Sequence, residues 1–391
     1  MNAKERVLKT ISHEEPDRVP SFEGSIDNLS IYNYYGEKYG YLGIGKAIQS
    51  LAKMPNKDKI AQQVFSTKTA VKNSILTSAA IFRKAGIDLM GGPLSMFPVK
   101  VFEWGYVDEF GRTFKAMKNP ADNMDILFYN GGFFKDYEDY EAWEYHPEPD
   151  TKIRQLNFEA HRAVMEQLNN EIYIIPGSGA LLEMVFESFG MENFARLLAR
   201  PKQAKKVFDD RGKFALELAK LCMEWGAEMI LVWDDYAYKS GLFMSPINYE
   251  MYIFPWLTRI CNEVHKNDGK VLLHSCGDIL PIFDILIECG IDAFNPIEPT
   301  TANPDYDIFK LKEKYGDQIT LVGNVSPQDL ADKDTEYIKQ YTKKLIRECA
   351  PGGGFILSSG HSINPAIKLE NFLAMRETTI KFGKYPIQKV I

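Results

Sequence analysis

Cysteine is scarce in this chain and none of it looks paired: Cys222, Cys261, Cys276, Cys289 and Cys349 are an odd number, scattered, with no CxxC among them. A disulfide framework is thereby excluded, and any cysteine with a chemical role acts as a thiolate or a ligand. Lys/Arg-rich runs are also missing and the formal net charge is -7, so there is no concentrated basic face of the kind that phosphate binding needs, and no nucleic-acid partner is expected. No run of about 18 or more apolar residues occurs. The opening MNAKERVLKTISHEEPDRVP is charged where a signal peptide would need an apolar stretch. The expectation is a cytoplasmic protein without a membrane partner. No GxGxxG turn follows the first strand, no phosphate loop with its Lys and Ser/Thr is present, and no Ser-His-Asp nucleophile elbow is visible. Gly177-Ser178-Gly179 and the run Gly352 to Gly354 lack the spacing for phosphate and suit tight turns or close approach of backbone to a ligand.

What is there is a 391-residue chain, 45% hydrophobic, with the make-up of an ordinary globular protein. Val7, Leu8 and Ile11 lie at helical spacing before the Pro16 to Pro20 segment, which predicts an N-terminal helical extension. VPSFEG and GIDLMGGPLSM read as two early strands, the second with its loop. VKVFEWGYVDEFGRTFKAM, about 99–118, alternates around a turn at Asp108 to Gly111 and predicts an inserted β-hairpin. From Asn170 a regular rhythm sets in, in which short β-rich runs alternate with amphipathic helices: IYIIPGSG, AEMILVWDDY, KVLLHSCG, AFNPIEP, ITLVGNVS and FILSSGHS. With the two early strands these make eight nearly all-apolar parallel strands. The reading is α/β, a single (β/α)8 TIM barrel domain over 1–391.

The polar residues fall at the strand ends, where such a barrel carries its active site: Asp234, Asp235, His274, Cys276, Asn295, Glu298, Asn324 and His361. His274 and Cys276 stand two apart on an extended segment, so both side chains leave on one face, and zinc accepts both donor types. His361 and Glu298 are the candidates to complete an N2SO metal set. The bland alternative is a hydrogen-bonding or acid/base histidine at a barrel mouth. Gly277 lets the backbone turn tightly under the Cys276 thiol. Of Asp234 and Asp235, one must point inward, where it suits acid/base or binding work, while the other caps a helix or holds a loop. Tyr236 directly follows them and, with Ser178, Asn295 and Asn324, is a candidate to line a slot for a flat substrate.

Together HEEPDRVP, GAEMILVWDDYA, SPINYEMYIFPWL, KVLLHSCGDILPIFDILIECGIDAFNPIEP, GNVSPQ and GGGFILSSGHSINPAIKLENFLAM resemble the uroporphyrinogen decarboxylase superfamily, in order and over nearly the whole chain. The resemblance implies a (β/α)8 barrel with its site at the C-terminal face. Decarboxylases of that family carry arginines after the first strand for a polycarboxylated tetrapyrrole, whereas FEGSIDNLSIYNYYG here has none. The other branch, corrinoid-dependent methyltransferases, holds zinc with a His-x-Cys and a later Cys. His274 and Cys276 match the first part, His361 stands in the later position, and Glu298 lies where a further carboxylate ligand can come from. The chain has no D-x-H-x-x-G motif, which implies cobalamin carried by a separate corrinoid protein. The resemblance thus leads to methyl transfer involving a small methyl donor or acceptor, with Asp234 or Asp235 catalytic, and it leaves homodimer formation open. A metal-free decarboxylase or lyase using Asp235 and His361, and a non-catalytic ligand-binding barrel, are the alternatives.

Overall fold

A computed structural model describes residues 1–38, 44–65, 67–92, 98–119, 123 and 125–387; the loop expected after the second strand lies outside them. In chain order the strands are β1 (Leu89–Gly92), β2 (Pro98–Phe102), β3 (Gly105–Asp108), β4 (Arg112–Lys118), β5 (Asp125–Gly132), β6 (Tyr173–Pro176) and β7 (Met229–Trp233). A small ribbon of β8 (Ala237–Tyr238) and β9 (Gly241–Leu242) precedes β10 (Lys270–His274), β11 (Ala293–Asn295), β12 (Thr320–Val325) and β13 (Phe355–Ser359). β1 pairs in parallel with β6, and β7, β10, β11, β12 and β13 form a parallel five-stranded sheet. Parallel bridges join these pieces: Gly177 to Leu231, Phe22 to Leu89, and Ser21 to Leu357. The segment read as VPSFEG is therefore the eighth staff of a ring, and the fold is the TIM barrel.

Strands covered on both faces need apolar residues on both, and that is why each run reads as unbroken hydrophobic sequence. Alternate residues divide between two cores. Leu89, Ile175, Leu231, Leu272, Val322 and Ile356 fill the barrel interior. Their neighbours Ile230, Val232, Val271, Leu273, Leu321 and Leu357 face the surrounding helices. The interior cluster also takes in Ala3, Val7 and Ile11 of the helix Ala3–Ile11, which packs on β1, β6 and β13 and closes one end of the barrel. A capping box between Asn2 and Glu5 starts that helix.

HEEPDRVP forms the clasp at this closed end. Asp17 accepts two bonds from Arg6, at 2.7 and 2.8 Å. Arg18 makes a two-toothed pair with Asp88 at 2.7 Å for each bond, and Arg6 adds a third donor at 2.7 Å. Such fork geometry is the form in which a buried carboxylate and guanidinium fully satisfy one another.

The insertion is larger than a hairpin. The turn at Asp108 to Gly111 is present between β3 and β4, but β2 and β5 flank them in a four-stranded antiparallel sheet ordered β2-β3-β4-β5. From Ile126 to Asn130 the residues of β5 are half-buried or exposed, so no apolar–polar alternation marks it as a strand. Among the described residues no helix is long and apolar enough to cross a membrane.

Removing the Asp88 carboxylate leaves two guanidinium groups without their shared partner. Asp88→Ala should lower unfolding free energy by about 3–5 kcal/mol, read as a shifted midpoint in chemical denaturation.

Candidate active site and metal-ligating group

The interior register sets which side chains reach the barrel mouth. On β7 it runs Leu231, Trp233 and on to Asp235; on β10 it runs Leu272, His274 and on to Cys276; on β11 it runs Ala293, Asn295. Pairing continues past the strand ends through Asp234 N–H to the His274 carbonyl at 3.0 Å and Ser275 N–H to the Asn295 carbonyl at 2.9 Å. The alternation therefore persists to Asp235 and Cys276.

Asp235, His274 and Cys276 each offer one ligand atom, and these atoms lie within 4.8 Å of one another. His274 Nε2 is 3.6 Å from Cys276 Sγ and 3.8 Å from Asp235 Oδ1, while that same oxygen accepts the Cys276 N–H at 2.7 Å. Asn295 donates its amide to the Val322 carbonyl at 3.1 Å, which turns its Oδ1 toward His274 Nδ1, 2.6 Å away. Nδ1 is then the protonated nitrogen, and the Nε2 lone pair faces Cys276 and Asp235. Trp233 stacks on the imidazole with centroids 4.3 Å apart and planes 18° apart, so the ring cannot swing. Burial lowers the His274 pKa against the pull of Asp235, and burial together with Asp235 and Glu298 pushes the Cys276 thiol up. A dication between them would reverse the thiol's state, since coordinating thiols deprotonate. Gly277, at φ +85°, could not be another residue, because a Cβ there would stand 2.4 Å from the Ala237 carbonyl carbon.

The group opens into a cavity of about 240 Å³ lined also by Asn295, Ser358, Ser359 and His361. A second cavity of about 610 Å³ adjoins it, and Gly24, Ser25, Glu183 and Trp233 line both. Its body is largely apolar, with Tyr32, Phe82, Met90, Met184 and Leu231, and its polar wall carries Asp27, Asn73, Ser74, Thr77 and Ser78. The volume lies in the range of small-molecule sites.

Other expected site residues are placed differently. Glu298 is buried and committed to its own loop: it accepts Gly277 N–H at 2.9 Å and Thr300 Oγ at 2.7 Å, with Lys239 at 3.9 Å, outside the compact ligand group. His361 shares the small cavity but is exposed, its Nδ1 accepting Ser362 N–H at 2.9 Å, and it too lies outside that group. Asp234 takes the outward register and is a clamp. It accepts the N–H groups of Leu181, Leu182 and Glu183 at 2.7–3.0 Å, and burial pushes its carboxyl up to about 7 against those bonds. Tyr236 is fully buried, edge-on to Tyr249, and lines neither cavity, because it leaves Asp235 on the opposite face. Asn324 spends both ends on scaffold, donating to the Ile297 carbonyl and accepting from Tyr341, each at 3.0 Å. Ser178 is buried between Gly177 and Gly179, and those glycines, rather than its hydroxyl, face the larger cavity.

Three residues were not anticipated. Trp233 could have been found from the inward register that ends at Asp235. Glu183 reaches both cavities because Asp234 holds its backbone, and burial, with Asp235, Glu187 and Asp234 close by, drives its carboxyl well up. Glu23 lies fully buried behind the small cavity, where Ser359 donates to it through its N–H at 3.2 Å and through its hydroxyl. Burial pushes its carboxyl up to about 7 despite Ser359 and Arg376.

Comparison with known proteins agrees with this architecture. The family described as uroporphyrinogen decarboxylase (URO-D) matches residues 132–382. Uroporphyrinogen decarboxylase of Thioalkalivibrio sulfidiphilus is 23% identical over 254 residues, 61% of this chain and 67% of that protein. The protein of the same name from Schizosaccharomyces pombe is 22% identical over 263 residues, 63% of this chain and 69% of its own length. A third, from Trichlorobacter lovleyi, is 22% identical, and the match spans 64% of its length. The chain thus spans about two thirds of the curated relatives it matches. Among solved structures, a methyltransferase from Methanosarcina mazei shares the fold with a TM-score of 0.67 at 18% identity, over 98% of this chain and 99% of that one.

Because Glu23 has a folded pKa of about 7 against an ordinary 4.5, the folded state holds its proton more tightly. The stability from that proton is fully present below about pH 4.5 and is lost as pH rises to about 7. Glu23→Gln keeps an acceptor for Ser359 without the titration. Relative to this variant the wild type should lose on the order of 1–3 kcal/mol between pH 4.5 and 7, measured by denaturant unfolding at fixed pH steps.

Proposed function

The chain belongs to the uroporphyrinogen decarboxylase family, and from that premise we propose that it moves a methyl group between a small methylated compound, a methoxylated aromatic or a thiol, and the cobalt of a separate corrinoid protein. The observation that carries the proposal is the compact nitrogen, sulfur and oxygen donor set of His274, Cys276 and Asp235 beside a substrate-sized cavity. Three protein ligands with one position left for substrate is the pattern of a catalytic zinc site, and the donor types suit zinc. A bound zinc would supply Lewis-acid stabilisation of the methyl-bearing heteroatom.

The chain's own residues do the rest. Asn295 and Trp233 hold the His274 ring in one tautomer and one orientation. The Cys276 N–H fixes Asp235, so the donor atoms are presented without rearrangement. The largely apolar walls of the larger cavity exclude water from the methyl group's path.

The name of the relatives points to decarboxylation of a polycarboxylate, and a metal-free version with Asp235 and His361 as acid and base would use the same cavity. That reading is the weaker one. A polycarboxylate needs cations, and among the described residues lining the larger cavity the cation is Arg112, already bound to Asp108 at 2.8 Å and Glu187 at 2.9 Å.

Protein purified without chelator should contain about one zinc per chain, and a His274→Ala, Cys276→Ala double variant should lose both the metal and methyl transfer to a corrinoid acceptor. Absence of zinc together with full activity in that variant would remove the metal mechanism. Asn295→Ala, which frees the imidazole, should weaken zinc about 10–100-fold in chelator competition.

A further inference from the structure

Glu183 stands where the two cavities meet, and it lines both. Its backbone N–H is held by Asp234 at 2.7 Å, so the residue cannot withdraw, yet its carboxyl makes no hydrogen bond or ion pair with any described residue. On either side are acidic groups, Asp235 in the small cavity and Asp27 in the large one, the latter accepting Ser25 Oγ at 2.6 Å. Among the described residues the remaining polar wall of the large cavity is uncharged, apart from Arg112, whose guanidinium is shared between Asp108 and Glu187. A carboxylate entering this space would lose its water and meet, among the described residues, no cation but the shared Arg112, whereas a hydroxyl or amine would find an acceptor waiting.

We propose that Glu183 is the specificity-determining residue of this cavity and that its ligand is a largely apolar molecule presenting a hydroxyl or amine to Glu183 and carrying no carboxylate. The inference rests on the cavity being the substrate site of the proposed transferase, but its test needs neither a corrinoid partner nor turnover. Placement supports an aromatic body: Trp233, Tyr32 and Phe82 wall the cavity, and Trp233 lines both cavities and stacks on the His274 ring. A ring held here by a hydroxyl at Glu183 can turn a neighbouring methoxyl toward His274 and Cys276.

The test is calorimetric titration of the full chain with three probes: 2-methoxyphenol, methoxybenzene and 4-hydroxy-3-methoxybenzoate. 2-Methoxyphenol is expected to bind at least tenfold more tightly than either of the others, which lack the hydroxyl or add a carboxylate. Glu183→Ala should bring 2-methoxyphenol and methoxybenzene to equal affinity, and Glu183→Gln, which keeps an acceptor, should retain part of the preference. Ser78→Arg, which adds a counter-charge on the polar wall, should raise the affinity for the carboxylated probe at least tenfold. Equal or tighter binding of the carboxylated probe by the wild type, an unchanged hydroxyl preference in a folded Glu183→Ala protein, or no binding of any probe each overturns the proposal. If the probes bind as stated but no methyl group reaches a corrinoid acceptor, the ligand class stands and the transferase reading falls.

Discussion

The two-residue period of the strands, carried unbroken round a closed ring, is the constraint on which the site depends. Once Leu231, Leu272 and Ala293 are committed to the barrel interior, the residues two and four positions on have no choice of face: Trp233 and Asp235, His274 and Cys276, Asn295. Moving any one strand by a single residue would send its donor into the helical shell and its apolar partner into the mouth. The interior is filled tightly enough, with the helix Ala3–Ile11 as its plug and the Asp88 clasp behind it, that such a slip would break the core along with the site.

The same constraint explains why Asp234, one residue from Asp235, takes the outward register and is not in the site. The polar groups near the strand ends that stay out of the donor group still have to be satisfied, and they are, by the scaffold around them. Asp234 gathers three N–H groups of the turn after β6, Glu298 holds Gly277, and Asn324 ties the chain after β11 to Tyr341. These bonds do indirect work at the site. Asp234 is the reason Glu183 reaches both cavities, and Glu298 is the reason the chain turns directly beneath Cys276.

The barrel, its eight staves and the N-terminal helix were legible because each is written locally, in apolar runs of the right length and in the spacing of Val7 and Ile11. His274 and Cys276 were legible for a similar reason, since a separation of two on an extended segment guarantees a shared face. The insertion was only partly legible, because β5 is recognised by its pairing with β4 rather than by its own alternation. The assignment of Tyr236 to the mouth failed because adjacency in sequence means opposite faces on a strand.

By itself the sequence determined the architecture, the end of the barrel at which the donor group lies, and two of the three compact donors, all of which follow from local periodicity and residue type. Only the tertiary structure decided that Asp235 completes the group while Glu298 and His361 stand aside, that Asn295 sets the imidazole, and that Glu183 faces the cavity. Those facts depend on distances between different strands and loops, which arise when the ring closes and which no spacing along one chain segment can encode.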